Sequence, residues 1–118
     1  MSNTLNTSQL AIQSHFTRLE ASANNIANLN SDGYKSQRVD IKEGPNGAPT
    51  TSSSTDESSG PSRMELNQEG DLVEIEMSNV DLATEYVKTM ESTQAIKANL
   101  KTIQTADEML GELINTLA

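Results

Sequence analysis

From Leu5 to Asn30 apolar residues recur four and three positions apart. Leu5, Ile12, Leu19 and Ile26 hold one heptad position, with Gln9, Phe16, Ala23 and Asn30 at the other. The spacing predicts a helix with an imperfect coiled-coil seam. Asn28 to Gly33 supplies its stop, because Asn, Ser and Asp compete for backbone hydrogen bonds and Gly33 can adopt the left-handed conformation. A second helical run is predicted from Ser78 or Asn79 as N-cap, with Asp81 in the first turn facing the positive end of the helix dipole. It continues to about Leu117 without proline, a length of ~58 Å at the helical rise. Its stripe is Leu82, Tyr86, Ile96, Leu100, Ile103, Leu110, Ile114 and Leu117, interrupted by Thr89, Thr93 and Asp107 and widened by Ala83, Val87 and Met90.

Between the helices the period changes. Gln37 to Lys42 alternates, with Val39 and Ile41 on one side, and Leu72 to Met77 alternates likewise through Val73, Ile75 and Met77. These two strands are expected to form a small hairpin. Gly44 to Pro61 is Gly, Pro, Ser and Thr with almost nothing apolar, which reads as a flexible loop unable to offset the entropy of ordering. The expected fold class is therefore mainly α: long N- and C-terminal helices paired as an antiparallel coiled coil, with a β-hairpin and flexible loop between them. The organisation is 1–33, an axial helix and turn; 34–77, a strand and loop insertion with linker 44–61; and 78–118, a second axial helix that forms one inner domain with the first.

Composition sharpens this picture. In 118 residues, 17 acids against 8 bases give a formal charge of -9, and only Phe16, Tyr34 and Tyr86 are aromatic. So few large side chains make a self-sufficient core a poor expectation for a chain of this size. The acidic balance argues against nucleic acid, whose affinity rests on clustered Lys and Arg. Eight acids (Glu65, Glu69, Asp71, Glu74, Glu76, Asp81, Glu85 and Glu91) stand against Lys88 alone between Glu65 and Glu91. By contrast, residues 1–30 carry only Arg18 and Glu20, so the first helix reads as one surrounded by protein. No window approaches the ~20 apolar residues of a membrane span, and the start of the chain lacks a basic, apolar leader, so neither membrane insertion nor conventional secretion is expected.

Candidate chemistry is sparse. There is no cysteine, and His15 is the single histidine, with no acid three or four residues away to set its tautomer. Asp71, Glu74 and Glu76 alternate with apolar residues and read as a solvated strand face. Gly44, Gly47 and Gly60 lack the helix and lysine of a phosphate loop. Met64, Met77, Met90 and Met109 read as packing filler. No catalytic residue, metal site or cofactor is expected. Asn24, Asn25, Asn28 and Asn30 stand apart, because four poor helix formers in seven residues need a reason. Asn28 and Asn30 serve as helix-end caps; Asn24 and Asn25 point to amides that bridge neighbouring backbones.

Ala23, Asn24, Asn25, Ile26, Ala27 and Asn28, followed by Asp32, Gly33, Tyr34 and Lys35, resemble the N-terminal signature of the bacterial flagellar rod and hook axial proteins. Ser78, Asn79, Val80, Asp81 and Leu82, then Asn99 to Gln104 and Thr105 to Leu110, resemble the C-terminal segment of the same family. The resemblance covers residues 1–35 and 78–118 and is nearest to the short proximal-rod class. It implies a structural subunit of the basal-body rod serving motility, located in the periplasmic rod and exported by the flagellar type III apparatus without a cleavable signal. The implied partners are other axial proteins and the chain itself. The implied assembly interface comprises Leu5, Ile12, Phe16, Leu19, Ala23, Asn24, Asn25, Ile26, Ala27, Asn28, Gly33, Tyr34, Asn79, Val80, Leu82, Tyr86, Ile96, Asn99, Leu100, Ile103, Leu110, Ile114 and Leu117. Relatives commonly read Gln-Arg-Ala-Tyr where this chain has Thr93, Gln94, Ala95 and Ile96, a departure that suits an accessory paralogue. The alternative is a soluble adaptor or export-associated module that docks on the axial structure.

Overall fold

The computed structural model describes residues 2–118; Met1, the first residue of the expected 1–33 unit, lies outside them. In chain order it comprises α1 (Ser2–Ala27), β1 (Gln37–Glu43), a one-turn 3-10 segment (Pro45–Gly47), β2 (Pro49–Thr55), β3 (Ser62–Leu66), β4 (Leu72–Glu76) and α2 (Leu82–Leu117). The molecule is a rod of 83 × 24 × 18 Å. Its longest element is α2, which extends ~54 Å against ~39 Å for α1.

The helices lie side by side in opposite directions: Thr4 shares a groove with Lys101, Thr105 and Met109, and Arg18 Nη2 stands 3.7 Å from Glu91 Oε2. The expected hydrophobic coiled coil is not what joins them. Gln9, Phe16, Ala23 and Asn30, one full row of the expected seam, are exposed, as are Leu82, Tyr86, Leu100, Leu110, Ile114 and Leu117 of the other helix. The buried positions of α1 are Ser8, Ser14, Ala21, Ser22 and Asn25, and those of α2 are Glu85, Ser92, Ile96 and Ala106. Small side chains let two helix backbones approach closely, whereas the larger residues a few positions around each helix would hold them apart. The most buried positions are therefore mostly small or polar, the row Leu5, Ile12, Leu19 and Ile26 is half-buried, and much of the remaining apolar stripe turns outward.

The middle of the chain also departs from expectation. The two expected strands exist but do not pair with each other. β1 pairs antiparallel with β2, Val39 opposite Ser53 and Ile41 opposite Thr51, while β4 pairs with β3, Leu72 opposite Leu66 and Ile75 opposite Arg63. There are two separate two-stranded sheets, and the stretch read as a flexible linker supplies β2. The first hairpin closes through Pro45 and Asn46, the Gly47 amide donating to Gly44 O at 3.2 Å, with Asn46 and Gly47 at φ of 66° and 74°, left-handed values that Asn and Gly adopt most readily. The Gly44 amide also donates to Ala48 O at 2.7 Å. β2 needs no apolar residues because β-branched Thr suits an extended, exposed edge and Val39 supplies the buried side chain from β1. In the second hairpin Asn67 Oδ1 accepts from the Glu69 and Asp71 amides, and Gly70 takes φ 88°.

α2 begins later than expected. Asp81 is the N-cap, its carboxylate accepting from the Ala83 amide at 3.1 Å and from Thr84 Oγ1 at 2.8 Å. Ser78 and Asn79 lie before the helix, which frees Asn79 for another task.

Candidate assembly surface

The signature residues divide into those that hold the fold and those that face outward. Asn25, with 0% of its surface exposed, leads the first group. Its Nδ2 donates to Gln37 O at 2.8 Å, while its Oδ1 accepts from the Gln37 amide at 2.8 Å and from the Tyr34 hydroxyl at 3.1 Å. One side chain thus satisfies both main-chain groups of a residue at the start of β1 and fixes the angle between helix and sheet. Burial, with the negative charge of Glu85 nearby, pushes the Tyr34 hydroxyl above its ordinary value and keeps it a neutral donor. Asn24, its neighbour, is exposed and does not bridge through its side chain. Asn28 bonds the Asn24 carbonyl with Nδ2 at 2.9 Å and closes the helix end.

Asn79 performs the corresponding task from the other terminal segment. Its Oδ1 accepts from the Ser36 amide at 2.7 Å, and its Nδ2 donates to Asp56 O and Ser58 O. The turn before β1, the end of β2 and the entry to α2 are thereby tied at one side chain. Beside it Lys35 Nζ pairs with Glu76 Oε1 at 2.6 Å and donates to Ser58 O, while the Gly33 amide, at φ 69°, donates to Glu76 O. Lys35 and the Gly60 amide hold the Glu76 carboxyl below the usual carboxylate range. Arg63 clamps Asp32 with two bonds of 2.8 Å. Composition alone conceals this junction, since its polar residues look like solvated loop.

Along the helix contact several polar atoms are buried without a hydrogen-bond partner: His15 Nδ1, Arg18 Nε, Glu85 Oε2 and Ser92 Oγ. Lys88 reaches only the other oxygen of Glu85, at 3.2 Å. Each unpartnered buried group costs on the order of 1–3 kcal/mol, which subtracts from what the helix contact contributes. A cleft of about 580 Å³ opens between α1, α2 and the first sheet, lined by Arg18, Arg38 and Lys88 with Asp40, Asp56 and Glu57. Its charges balance, and among the described residues no group of three His, Cys, Asp or Glu is placed to hold a metal ion.

The remaining signature residues sort by exposure. Ile96 is buried, and Leu5, Ile12, Leu19, Ile26, Val80, Asn99 and Ile103 are half-buried. Phe16 (56%), Ala23, Ala27, Tyr86 and Leu100 lie exposed along the rod. Beyond Met109, where α2 passes the end of α1, Leu110, Leu113, Ile114 and Leu117 are all exposed, the last at 86%. The body is an elongated helix pair whose outer faces carry exposed apolar side chains, the kind of surface that marks interaction sites.

Residues 5–35 match the Flagella basal body rod protein family, and residues 74–116 match the Flagellar basal body rod FlgEFG protein C-terminal family. The chain belongs to the flagellar basal-body rod proteins. The two matches take in nearly all of α1 with its turn and nearly all of α2, leaving residues 36–73, with β1, β2 and β3, outside either match. No curated protein sequence matches the chain. Its role is structural, its place is the basal body, and its partners are other axial proteins of the flagellum.

Proposed function

We propose that this chain is built into the rod through the outward faces of its two terminal segments. Phe16, Ala23, Asn24 and Ala27 on α1, with Tyr86, Leu100, Leu110, Ile114 and Leu117 on α2, pack against helices of neighbouring axial subunits. The overhanging end of α2 carries this reading: a ~54 Å helix running past its partner leaves four large apolar side chains in water, a cost that a neighbouring helix removes. The segments 1–33 and 78–118 form the inner, assembling part, and 34–77 the lateral part. A helix pair with unpartnered buried atoms at its contact also suits a chain that must unfold to pass through the type III export channel and then order in place.

The test is Ile114→Asp with Leu117→Asp. Both residues are exposed, so the free subunit keeps its helicity, while incorporation into isolated basal bodies and swimming are lost. Normal incorporation of that double variant overturns the proposed surface. Finding the wild-type chain only in the soluble fraction supports the adaptor alternative instead.

A further inference from the structure

The free edge of the first sheet offers a contact of its own. At both ends of β1–β2 the ladder continues, the Gly44 amide donating to Ala48 O and the Asp56 amide to Ser36 O, so the even-numbered residues of β2 turn their main-chain groups towards β1. Alternation then turns those of Thr51, Ser53 and Thr55 away from it. Thr50 to Thr55 are all exposed, and among the described residues no strand pairs with this side of β2. An open edge is normally guarded by charge, by proline within the strand or by a bulge. β1 carries Arg38, Asp40, Lys42 and Glu43, β3 carries Arg63 and Glu65, and β4 carries Glu74 and Glu76. β2 is uncharged; its proline, Pro49, stands at its start, and its register with β1 contains no bulge.

The occupant that matches this edge is the same edge of a second copy. The chain carries a net charge of -9, so two copies approach with least repulsion along an uncharged strand. Antiparallel pairing about Ser53 sets Ser53 opposite Ser53 and Thr51 opposite Thr55. Every outward N–H and C=O of these three residues then finds a partner, and hydroxyl side chains face one another. The same register sets Thr50 of one copy opposite Asp56 of the other. Within the chain Thr50 lies opposite Lys42. Opposed residues share a face, which places Lys42 and the Asp56 of the second copy on one face two strand spacings apart, ~10 Å between backbones, a gap that a leaning lysine and an aspartate side chain close. Neither has an ion-pair partner in its own chain among the described residues, and the two-fold axis makes the pair twice.

We infer that the unassembled subunit forms a two-fold dimer in which β2 of one copy pairs with β2 of the other. A two-fold contact closes on itself, so it covers the open edge of the free subunit and does not propagate. It lies within residues 36–73, apart from both terminal segments, and stands independently of the reading of those segments as the assembling part.

Sedimentation velocity of the purified full chain up to about 1 mM, where an association of only ~4 kcal/mol is well populated, should show a dimer that grows with concentration. Ser53→Pro removes one outward N–H and none that serves β1, and Ser53→Lys sets two like charges on the axis. Each should abolish the dimer while the Asp40 and Ser52 amides keep their exchange protection; if the hairpin does not tolerate the proline, Ser53→Lys decides. Lys42→Glu should weaken association about tenfold, as two reversed exposed pairs imply, and Lys42→Glu with Asp56→Lys should restore it. Because the chain has no cysteine, the register can be read directly: oxidation should link Ser53→Cys copies, which meet on the axis, and leave Thr50→Cys copies unlinked. A chain that stays monomeric across this range, a dimer that survives Ser53→Lys, equal linking at the two positions, or association unmoved by Lys42→Glu overturns the contact.

Discussion

Asn25 pairs with Gln37 as one strand residue pairs with another, its amide donating to the Gln37 carbonyl and accepting from the Gln37 N–H, both at 2.8 Å. The pair links the last turns of α1 to the first residue of β1. It explains why a poor helix former occupies a fully buried helical position: only an amide offers a donor and an acceptor side by side without a charge to desolvate.

Replacing Asn25 by Ala strands both main-chain groups of Gln37 and the Tyr34 hydroxyl. A loss of about 2–4 kcal/mol in unfolding free energy is expected. Asn24→Ala, one residue earlier and exposed, should change stability by less than about 0.5 kcal/mol. Urea unfolding followed by circular dichroism checks both, and equal effects would show that the Asn25 pairing is energetically idle.

Glycines separate by surroundings. A Cβ at Gly60 would stand 2.3 Å from the Met77 carbonyl oxygen, whereas one at Gly111 meets nothing within 4 Å. Gly60→Ala should therefore displace the strand connection at Met77 and speed amide exchange of Gly33 and Met77. Gly111→Ala should raise the helicity of the α2 end, with a gain of up to about 1 kcal/mol. Unchanged exchange in the first variant would mean that the chain relaxes around the new methyl group.

Removing the cap at Asp81 by Asp81→Ala should cost about 1 kcal/mol, while Ser78→Ala should cost less than the N-cap replacement. The order of their unfolding midpoints checks which residue starts α2.

Glu76 and His15 are among the groups that make the fold sensitive to acid. The Glu76 carboxyl is depressed by Lys35 and the Gly60 amide, so its contribution is present above the ordinary carboxylate pKa and is lost as pH falls through the folded value. His15 is also depressed, by burial and then by the positive charge of Arg18. The neutral ring is the form the folded chain accepts, and its contribution declines as pH falls below a histidine's ordinary value of about 6.5. Unfolding measured from pH 7.5 downward should show a first loss of stability near that point, absent in His15→Gln, and a second in the carboxylate range, reduced in Glu76→Gln.

Because the helix contact is polar and contains unpartnered atoms, α1 should exchange its amides rapidly in dilute monomer and slowly after incorporation. Strong protection of Leu19 to Ala27 in a verified monomer would contradict this and favour an independently stable hairpin of helices.

Sequence alone determined that both ends are helical, that the chain turns after Asn28, and where β1 and β4 run, because these follow from local periodicity and from Gly33, whose left-handed backbone can be read one residue at a time. Even β2 left a local trace, in Asn46 and Gly47. The terminal motifs carried the family for the same reason: they are contiguous. Only tertiary structure decided which helix face turns inward, since periodicity records where apolar residues lie but not whether they meet this chain or a neighbour. Here Ser8, Ser22, Ser92 and Ala106 are buried because they are small, leaving Phe16, Leu100 and Ile114 outside. Strand partners, the Asp81 cap, and the junctions at Asn25 and Asn79 were likewise settled by hydrogen bonds between residues far apart in sequence. A polar side chain that satisfies a distant backbone has the same composition as one that faces water, and only its position in three dimensions distinguishes them.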